Sequence, residues 1–306
     1  MVKLKIERSF NHSIKLVLLV LFTLFNSTCS PDDVEEEPQR DYLEQSLEDD
    51  QQLVKYLKSH YFNYQDFIDT ANQDKEILID TIISENANLK SLFDFAVQTS
   101  IPLASSEGEI IDHKLYHVVV KDGIRIDDKP SIADSVYLSY KGKLLNGNTF
   151  DEKSNPVWFD NATVIRGFRY GLQYFSPGNF IQREDGTIDF DQFGRGLIFM
   201  PSGLGYFNSP QTNIPTYSPL IFEISMFTTN KADHDNDGVF SIDEDPNKDG
   251  NPYNDDTDED GIINMYDEDD DGDGILTKDE LDGDDPDNLP DDSNNDGIPD
   301  YLDKNT

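Results

Sequence analysis

The chain has few basic residues, a single cysteine and only one long apolar run. Its 306 residues include 24 Lys and Arg against 62 Asp and Glu, a formal net charge of −38. Proteins that bind nucleic acid through phosphate contacts need clusters of Lys and Arg, so this balance excludes a basic nucleic-acid-binding surface. One cysteine excludes an internal disulfide framework. Because the only long apolar run, Leu16 to Phe25, is too short for a stable span, an integral membrane protein is also excluded.

The negative charge is concentrated at the C-terminal end. Residues 233–306 hold 29 Asp and Glu against three Lys, a net charge of −26, which leaves −12 for the rest of the chain. The composition therefore predicts a globular part followed by a polyanionic tail that needs its own explanation.

The N-terminus has the pattern of a secretory signal. Basic residues precede the run from Leu16 to Phe25, and small residues lead to Cys29, as in a cleavable signal. This arrangement resembles a lipoprotein signal peptide over 1–28 with lipidation at Cys29; an ordinary secreted protein with a spare thiol is the alternative. The acidic segment within 29–40 resembles an export signal for surface lipoproteins or is a solvated linker. The signal and Cys29 predict a lipid-anchored protein of the outer membrane, facing the periplasm or the cell surface.

Residues 41–105 are predicted to form a small helical segment. Apolar residues such as Leu53, Leu57, Ile77 and Leu92 recur at spacings of three and four up to about Ser100, which predicts helices with one apolar face.

Beyond Gly108 the apolar period changes to two, which is typical of strands. Alternation marks Leu115–Val120, Val136–Tyr140 and Leu220–Met226. Asn146-Gly147 and Asp185-Gly186 predict two hairpin turns, and a short helix is expected near Gly167 to Tyr174. The segment is therefore predicted to be an α+β domain with an antiparallel sheet against a helix.

Several separated motifs resemble the FKBP-type peptidyl-prolyl isomerases over 112–229. They are Tyr140-Lys141-Gly142, Leu144, Asn146-Gly147, Phe150-Asp151, Val164–Phe168, Pro201, Leu204, Gly205-Tyr206, Ile214-Pro215 and Leu220–Phe222. The resemblance implies an FKBP-like half-barrel around the short helix, isomerase activity without a cofactor, and proline-containing unfolded or exported polypeptides as partners. It also implies a proline pocket lined by Tyr140, Phe150, Asp151, Val164, Ile165, Phe168, Tyr206, Ile214 and Phe222. The alternative is that these aromatic residues are only the core of the domain.

The resemblance implies roles for three of these residues. The Ile165 N–H and the Tyr206 hydroxyl would bond to substrate carbonyls, and Asp151 would orient Tyr140. Departures are Phe168, where the family often has Trp, Phe207, where it usually has Gly, and the added hairpin Asn179–Phe193.

The tail repeats a twelve-residue calcium-loop pattern. Acidic or other oxygen-bearing side chains recur at positions 1, 3, 5, 9 and 12, with Gly at position 6, as in calcium-binding loops. The predicted ligands are Asp233, Asp235, Asp237, Ser241, Glu244; Asp256, Asp258, Asp260, Asn264, Asp267; Asp269, Asp271, Asp273, Thr277, Glu280; and Asp292, Asn294, Asp296, Asp300, Asp303. A further partial loop contains Asp245, Asn247, Asp249 and Gly250.

The spacing of these loops resembles thrombospondin type 3 repeats, which implies structural Ca²⁺ in residues 233–306. An acidic disordered tail is the alternative, because a highly charged segment with little apolar content does not fold unaided.

The combination is most similar to gliding-motility-associated FKBP-like lipoproteins. Three functions are compatible with it. They are a proline isomerase that assists folding of exported proteins, a binding module without turnover, and a structural part of a surface machine in which the calcium repeats are the functional element.

Overall fold

The computed structural model describes residues 39–68, 75–281 and 292–305. The predicted signal segment and Cys29 lie outside these residues. Within the described part, no helix combines the length and apolar character that crossing a bilayer requires. Residues from Arg40 onward form one compact unit.

Ten strands, three α-helices and eight short 3₁₀ helices make up the regular structure of the described residues. The strands are β1 (His60–Phe62), β2 (Ile79–Thr81), β3 (Val97–Ala104), β4 (Ile110–Lys121), β5 (Ser135–Leu144), β6 (Thr149–Asp160), β7 (Asn179–Gln182), β8 (Ile188–Asp191), β9 (Gly194–Met200) and β10 (Leu220–Asn230). The helices are α1 (Tyr42–Ser59), α2 (Arg166–Leu172) and α3 (Thr277–Glu280).

The main sheet has six antiparallel strands in the order β3-β4-β9-β10-β5-β6. The predicted strands fall within β4, β5 and β10, and the predicted short helix is α2. Both predicted hairpins form, because Gly147 (φ 87°) and Gly186 (φ 84°) supply the positive φ that such tight turns need. The prediction of an α+β domain with an antiparallel sheet is confirmed.

Both faces of this sheet are covered. On one face, α2 packs through Phe168 and Leu172 against β5, β9 and β10. On the other face, α1 and the segment after it pack against β4 and β9. Every residue of β9 is buried, as expected for a strand with protein on both sides.

The predicted helical segment is mostly not helical. Only α1 forms a helix of several turns there, with Asp41 as its N-cap (Oδ1 to Glu44 N–H, 2.8 Å). Beyond Ser59 the chain makes short strands and 3₁₀ turns. The side chains of Asn86 and Asp94 accept hydrogen bonds from backbone N–H groups three residues earlier, at 2.6 and 2.7 Å, and so compete with helical hydrogen bonding. The apolar residues Ile77 and Leu92 are buried as predicted, but in turns rather than on one helical face.

A buried carboxylate ties α1 to the loop after β9. Asp49 has no exposed surface, and its Oδ2 accepts hydrogen bonds from the Ser202 N–H (2.7 Å) and hydroxyl (2.6 Å). Its Oδ1 accepts from Gln45 Nε2 at 2.7 Å. Burial raises the pKa of Asp49 above its ordinary value, although these hydrogen bonds act in the opposite direction. The helix outside the predicted isomerase domain thus fixes a turn four residues before Tyr206.

Candidate functional site

An aromatic cage opens at one end of the sheet, around a cavity of ≈ 530 Å³. All nine residues that the sequence analysis placed in the pocket line this cavity. The floor is Phe168 of α2, 4% exposed, whose ring centroid lies 4.9 Å from that of Phe222 and 5.8 Å from that of Tyr140. Phe150 meets Phe222 edge to face at 5.5 Å. Such edge-to-face contacts hold aromatic rings in fixed orientations, so the cavity wall is pre-formed.

Two motif residues explain how the cage is built. Gly142 leaves the space that the Phe150 ring occupies, since a Cβ there would lie 2.5 Å from that ring. The turn before Val164 and Ile165 is held by Arg169 of α2, which donates to the carbonyls of Asn161 and Ala162 at 2.8 Å each. Helix, turn and cage are therefore one rigid assembly.

The polar groups of the cage stand at its rim. The Tyr140 hydroxyl donates a short hydrogen bond to Asp151 Oδ2. Burial first, and then the bond to Asp151 and its charge, raise the pKa of Tyr140 well above the ordinary range. Burial and the Asp151 charge also raise the pKa of Tyr206. Both hydroxyls therefore keep their protons and can donate hydrogen bonds.

The backbone N–H of Ile165 is the third donor at the cage. Ile165 is the N-cap of α2, and its carbonyl accepts from the Phe168 and Arg169 N–H groups at 3.0 and 3.1 Å. Among the described residues its own N–H has no intramolecular partner, as is usual where a helix begins.

The sequence analysis missed part of the lining. Phe159 also contributes, with its ring 5.7 Å from Tyr140 and 6.1 Å from Phe168, and so does the loop Gln211–Asn213. The alternation of β6 places Phe159 on the same face as Val157 and opposite Trp158. This alternation can be read from the sequence and could have indicated that Phe159 faces the cavity.

The described residues of the acidic tail form five loops of one design. We name them loop A (233–244), loop B (245–255), loop C (256–267), loop D (269–280) and loop E (292–303). In each, the glycine N–H at position 6 donates to the carboxylate at position 1, at distances of 3.2, 2.7, 3.1, 3.1 and 3.0 Å in chain order. All five glycines have a positive φ. Loop B, which the sequence indicates only in part, has the same backbone arrangement as the others.

Three acidic side chains converge in four of these loops. The clusters are Asp233, Asp235 and Asp237 in loop A, Asp245, Asp249 and Asp255 in loop B, Asp256, Asp258 and Asp260 in loop C, and Asp269, Asp271 and Asp273 in loop D. Within each cluster the carboxylate oxygens come within 4.8 Å of one another. Several of these oxygens are buried without a hydrogen-bond partner among the described residues.

The position 9 side chains, which the sequence analysis predicts to be calcium ligands, make hydrogen bonds within their own loops. Ser241, Asn264, Thr277 and Asp300 each accept a hydrogen bond from the backbone N–H at position 2 of their own loop, at 3.1, 2.9, 3.2 and 2.8 Å. These side chains are buried and join position 9 to position 2 of the same loop. The position 12 side chains of loops A and D do lie near the other acidic groups of their loops. Glu244 lies beside Asp237. Burial first, and then the charges of loop D, raise the pKa of Glu280 to about 7.

The tail docks on the helix that carries the cage floor. The Tyr253 hydroxyl donates to the Ile132 carbonyl at 2.9 Å, and the Arg169 guanidinium lies 4.0 Å over the Tyr253 ring. His234 Nε2 lies 3.3 Å from the Asp160 carboxylate. The arginine that supports the cage turn is therefore also a contact of the tail.

Comparison with known proteins identifies the family of the cage. Residues 127–227 match the family model of FKBP-type peptidyl-prolyl cis-trans isomerases. These residues form an FKBP-type domain. Residues 234–287 match a second family model, described as BamM C-terminal.

Curated relatives are similar to part of the chain. One is the FKBP-type peptidyl-prolyl cis-trans isomerase FkpA of Buchnera aphidicola subsp. Baizongia pistaciae, 32% identical over 97 residues, which are 31% of this chain and 33% of the relative. A probable FKBP-type isomerase of Haemophilus influenzae is 34% identical over 101 residues, covering 32% and 36%. The chain thus spans about a third of the length of these relatives.

Solved structures are similar to part of the chain. A peptidyl-prolyl cis-trans isomerase from Pseudomonas syringae pv. tomato has 22% identity and a TM-score of 0.32, covering 42% of this chain and 81% of that one. FkpA from Escherichia coli has 26% identity and a TM-score of 0.31, covering 42% and 51%.

Phe207 of the FKBP-type domain does not line the pocket. Its φ of 47° lies in the left-handed region, which accounts for a glycine at this place in the family because glycine adopts it without strain. The Phe207 ring stacks on Tyr42 of α1 at 4.6 Å. Phe207, where the family usually has Gly, therefore anchors the domain to α1 and leaves the cavity open.

Proposed function

We propose that the protein is a peptidyl-prolyl cis–trans isomerase that acts on unfolded or exported proline-containing polypeptides. The observation that carries this proposal is the cage, in which a buried aromatic floor lies beside the donors of Tyr206 and Ile165 and the Tyr140–Asp151 pair. No group in it needs to act as a nucleophile or to hold a cofactor.

The chemistry follows from the amide bond. Rotation about it costs about 18–20 kcal/mol because the planar amide loses its resonance. A catalyst must bind the twisted amide better than either planar form. The cage accepts the pyrrolidine ring over Phe168, while Tyr206 and the Ile165 N–H hold the neighbouring carbonyls. The twisted carbonyl is less polar than the planar one, so a site that excludes water favours it.

We expect the full chain to accelerate proline-limited refolding of a model protein, and two cage variants to lose this activity. Phe150→Ala removes a wall, and Asp151→Asn removes the acceptor charge that orients Tyr140. Each is expected to lower kcat/KM at least tenfold, about 1.4 kcal/mol of transition-state stabilisation. Phe180→Ala is the matched control, because Phe180 is 56% exposed on the added hairpin and outside the cavity. A folded wild type that is no faster than buffer would favour binding without turnover.

We further propose that the tail binds structural Ca²⁺. All candidate donors are oxygens, the ligands that Ca²⁺ prefers, and buried carboxylates without partners need a cation to offset the cost of their burial. Asp233, Asp235 and Asp237 would hold an ion in loop A, and the equivalent residues would do so in the other loops. Hydrogen exchange of the tail with and without a calcium chelator tests this assignment.

We propose that the chain is lipid-anchored at Cys29 in the outer membrane. The support is the signal-like sequence before Cys29 and the acidic residues after it. We expect Cys29→Ser to move the protein from the outer-membrane fraction to the soluble fraction and to abolish incorporation of labelled fatty acid. Ser27→Ala is the control. Equal labelling of the wild type and Cys29→Ser would overturn the anchor.

A further inference from the structure

A second acidic cluster joins two loops that are separated in sequence. It contains Asp237 and Glu244 of loop A and Asp270 of loop D, with oxygens of the three side chains within 4.8 Å of one another. The loop template does not include Asp270, which stands at position 2. This cluster is therefore distinct from the acidic group that each loop forms by itself.

The cluster is buried and its oxygens are unpaired. Asp237 is 2% exposed, Glu244 1% and Asp270 1%. Both oxygens of Glu244, both of Asp270 and Oδ2 of Asp237 have no hydrogen-bond partner among the described residues. No Lys or Arg of the described residues forms an ion pair with any of the three. The carboxylate of Asp270 in loop D thus lies beside two acidic residues of loop A and has no hydrogen-bond partner among the described residues.

Few interactions can stabilise three adjacent buried carboxylates that have no hydrogen-bond partner. Burying a carboxylate without a partner costs several kcal/mol, and three adjacent carboxylates also repel one another. A divalent cation offsets both the cost of burying the carboxylates and the repulsion between them. The donors are all oxygens, and five unpaired carboxylate oxygens approach the six to eight ligands that Ca²⁺ takes at a flexible site.

We propose that Asp237, Glu244 and Asp270 hold a calcium ion between loops A and D, in addition to the ions within single loops. This inference rests on the proposed calcium binding of the tail. Asp237 is shared between the loop A ion and the joining ion. Loop A is then complete only when loop D is folded against it, so the two loops bind calcium cooperatively.

The test is the number of Ca²⁺ ions bound per full-length chain, measured by equilibrium dialysis and atomic emission. Asp270→Asn keeps the shape of the side chain and removes its charge. We expect it to lose one ion or to weaken that ion at least tenfold, and Glu244→Gln to do the same. The double variant is expected to lose no more than Glu244→Gln alone, because Asp270 acts only on the joining ion, whereas Glu244 is also the position 12 residue of loop A.

Asp279→Asn is the matched control, since it removes an exposed charge from the same loop and should bind as many ions as the wild type. A wild type that binds no Ca²⁺ would overturn the calcium assignment of the whole tail. A wild type that binds Ca²⁺ while Asp270→Asn has the same stoichiometry and affinity would overturn the joining site alone.

Discussion

Removal of calcium is expected to unfold the tail while the six-stranded sheet stays folded. Among the described residues from Asp233 onward, only Met265 and Tyr301 are buried hydrophobic residues, so apolar burial contributes little there. The acidic clusters contribute repulsion unless cations are bound. Burial, followed by the charges of Asp235, Asp237 and Asp270, raises the pKa of Glu244 to about 10.

The size of this effect follows from mass action. A site with a dissociation constant of about 10⁻⁴ M, typical of extracellular modules, stabilises the folded tail by about 1.4 kcal/mol at about 1 mM free Ca²⁺. Five such loops together would contribute about 7 kcal/mol, comparable to the stability of a whole small domain.

Hydrogen exchange followed by mass spectrometry is the direct measurement. In calcium, peptides covering loops A, C and D should be protected, and in chelator they should exchange as an unfolded chain does. Peptides from β9 and β10 are the internal control and should remain protected in both. Replacing Ca²⁺ by an equal concentration of Mg²⁺ should give little protection. Protection of the loops that survives chelation would contradict the calcium assignment.

Asp49→Ala is expected to destabilise the protein by about 3 kcal/mol. The substitution leaves the Ser202 N–H, the Ser202 hydroxyl and the Gln45 amide without their acceptor in a buried place, and each unsatisfied group costs about 1–3 kcal/mol before relaxation. Urea unfolding monitored by circular dichroism measures the change. Asp49→Asn keeps an acceptor oxygen and should cost clearly less, so equal losses for the two variants would contradict this explanation.

This variant also tests how α1 supports the cage. The Ser202–Leu204 turn leads directly to Tyr206, and Phe207 stacks on Tyr42 of α1. We expect Asp49→Ala to raise KM for a prolyl peptide more than it lowers kcat, because it loosens a binding group and leaves Phe168 and Phe222 in place. A variant that is less stable but has wild-type kinetics would show that α1 acts only on folding.

The sheet and the cage were predictable, and for different reasons. Strict alternation and the Asn146-Gly147 and Asp185-Gly186 turns are local signals, so β4, β5, β10 and both hairpins followed from them. The cage residues came from a resemblance spread over separated motifs, since no local pattern places Tyr140 beside Phe168. The helix prediction beyond Ser59 was wrong because spacings of three and four also suit turns whose apolar residues pack against a sheet.

The contacts between segments were not predictable. A loop template describes one loop at a time, so it named Glu244 and passed over Asp270, whose position is set by how loop D folds against loop A. It also did not indicate that the Ser241 hydroxyl accepts a hydrogen bond from the backbone N–H at position 2. The anchor at Asp49 depends on a contact across 153 residues, for which the sequence contains no local signal.

The contact between Arg169 and Tyr253 connects the aromatic cage to the acidic tail. One arginine holds the carbonyls before Val164 and Ile165 and also stacks on the tail. By thermodynamic linkage, any change in polypeptide affinity that calcium produces through this residue must be matched by an equal change in calcium affinity when polypeptide is bound. The two effects have the same sign and the same size, so measuring calcium affinity with and without a prolyl peptide gives the coupling in both directions.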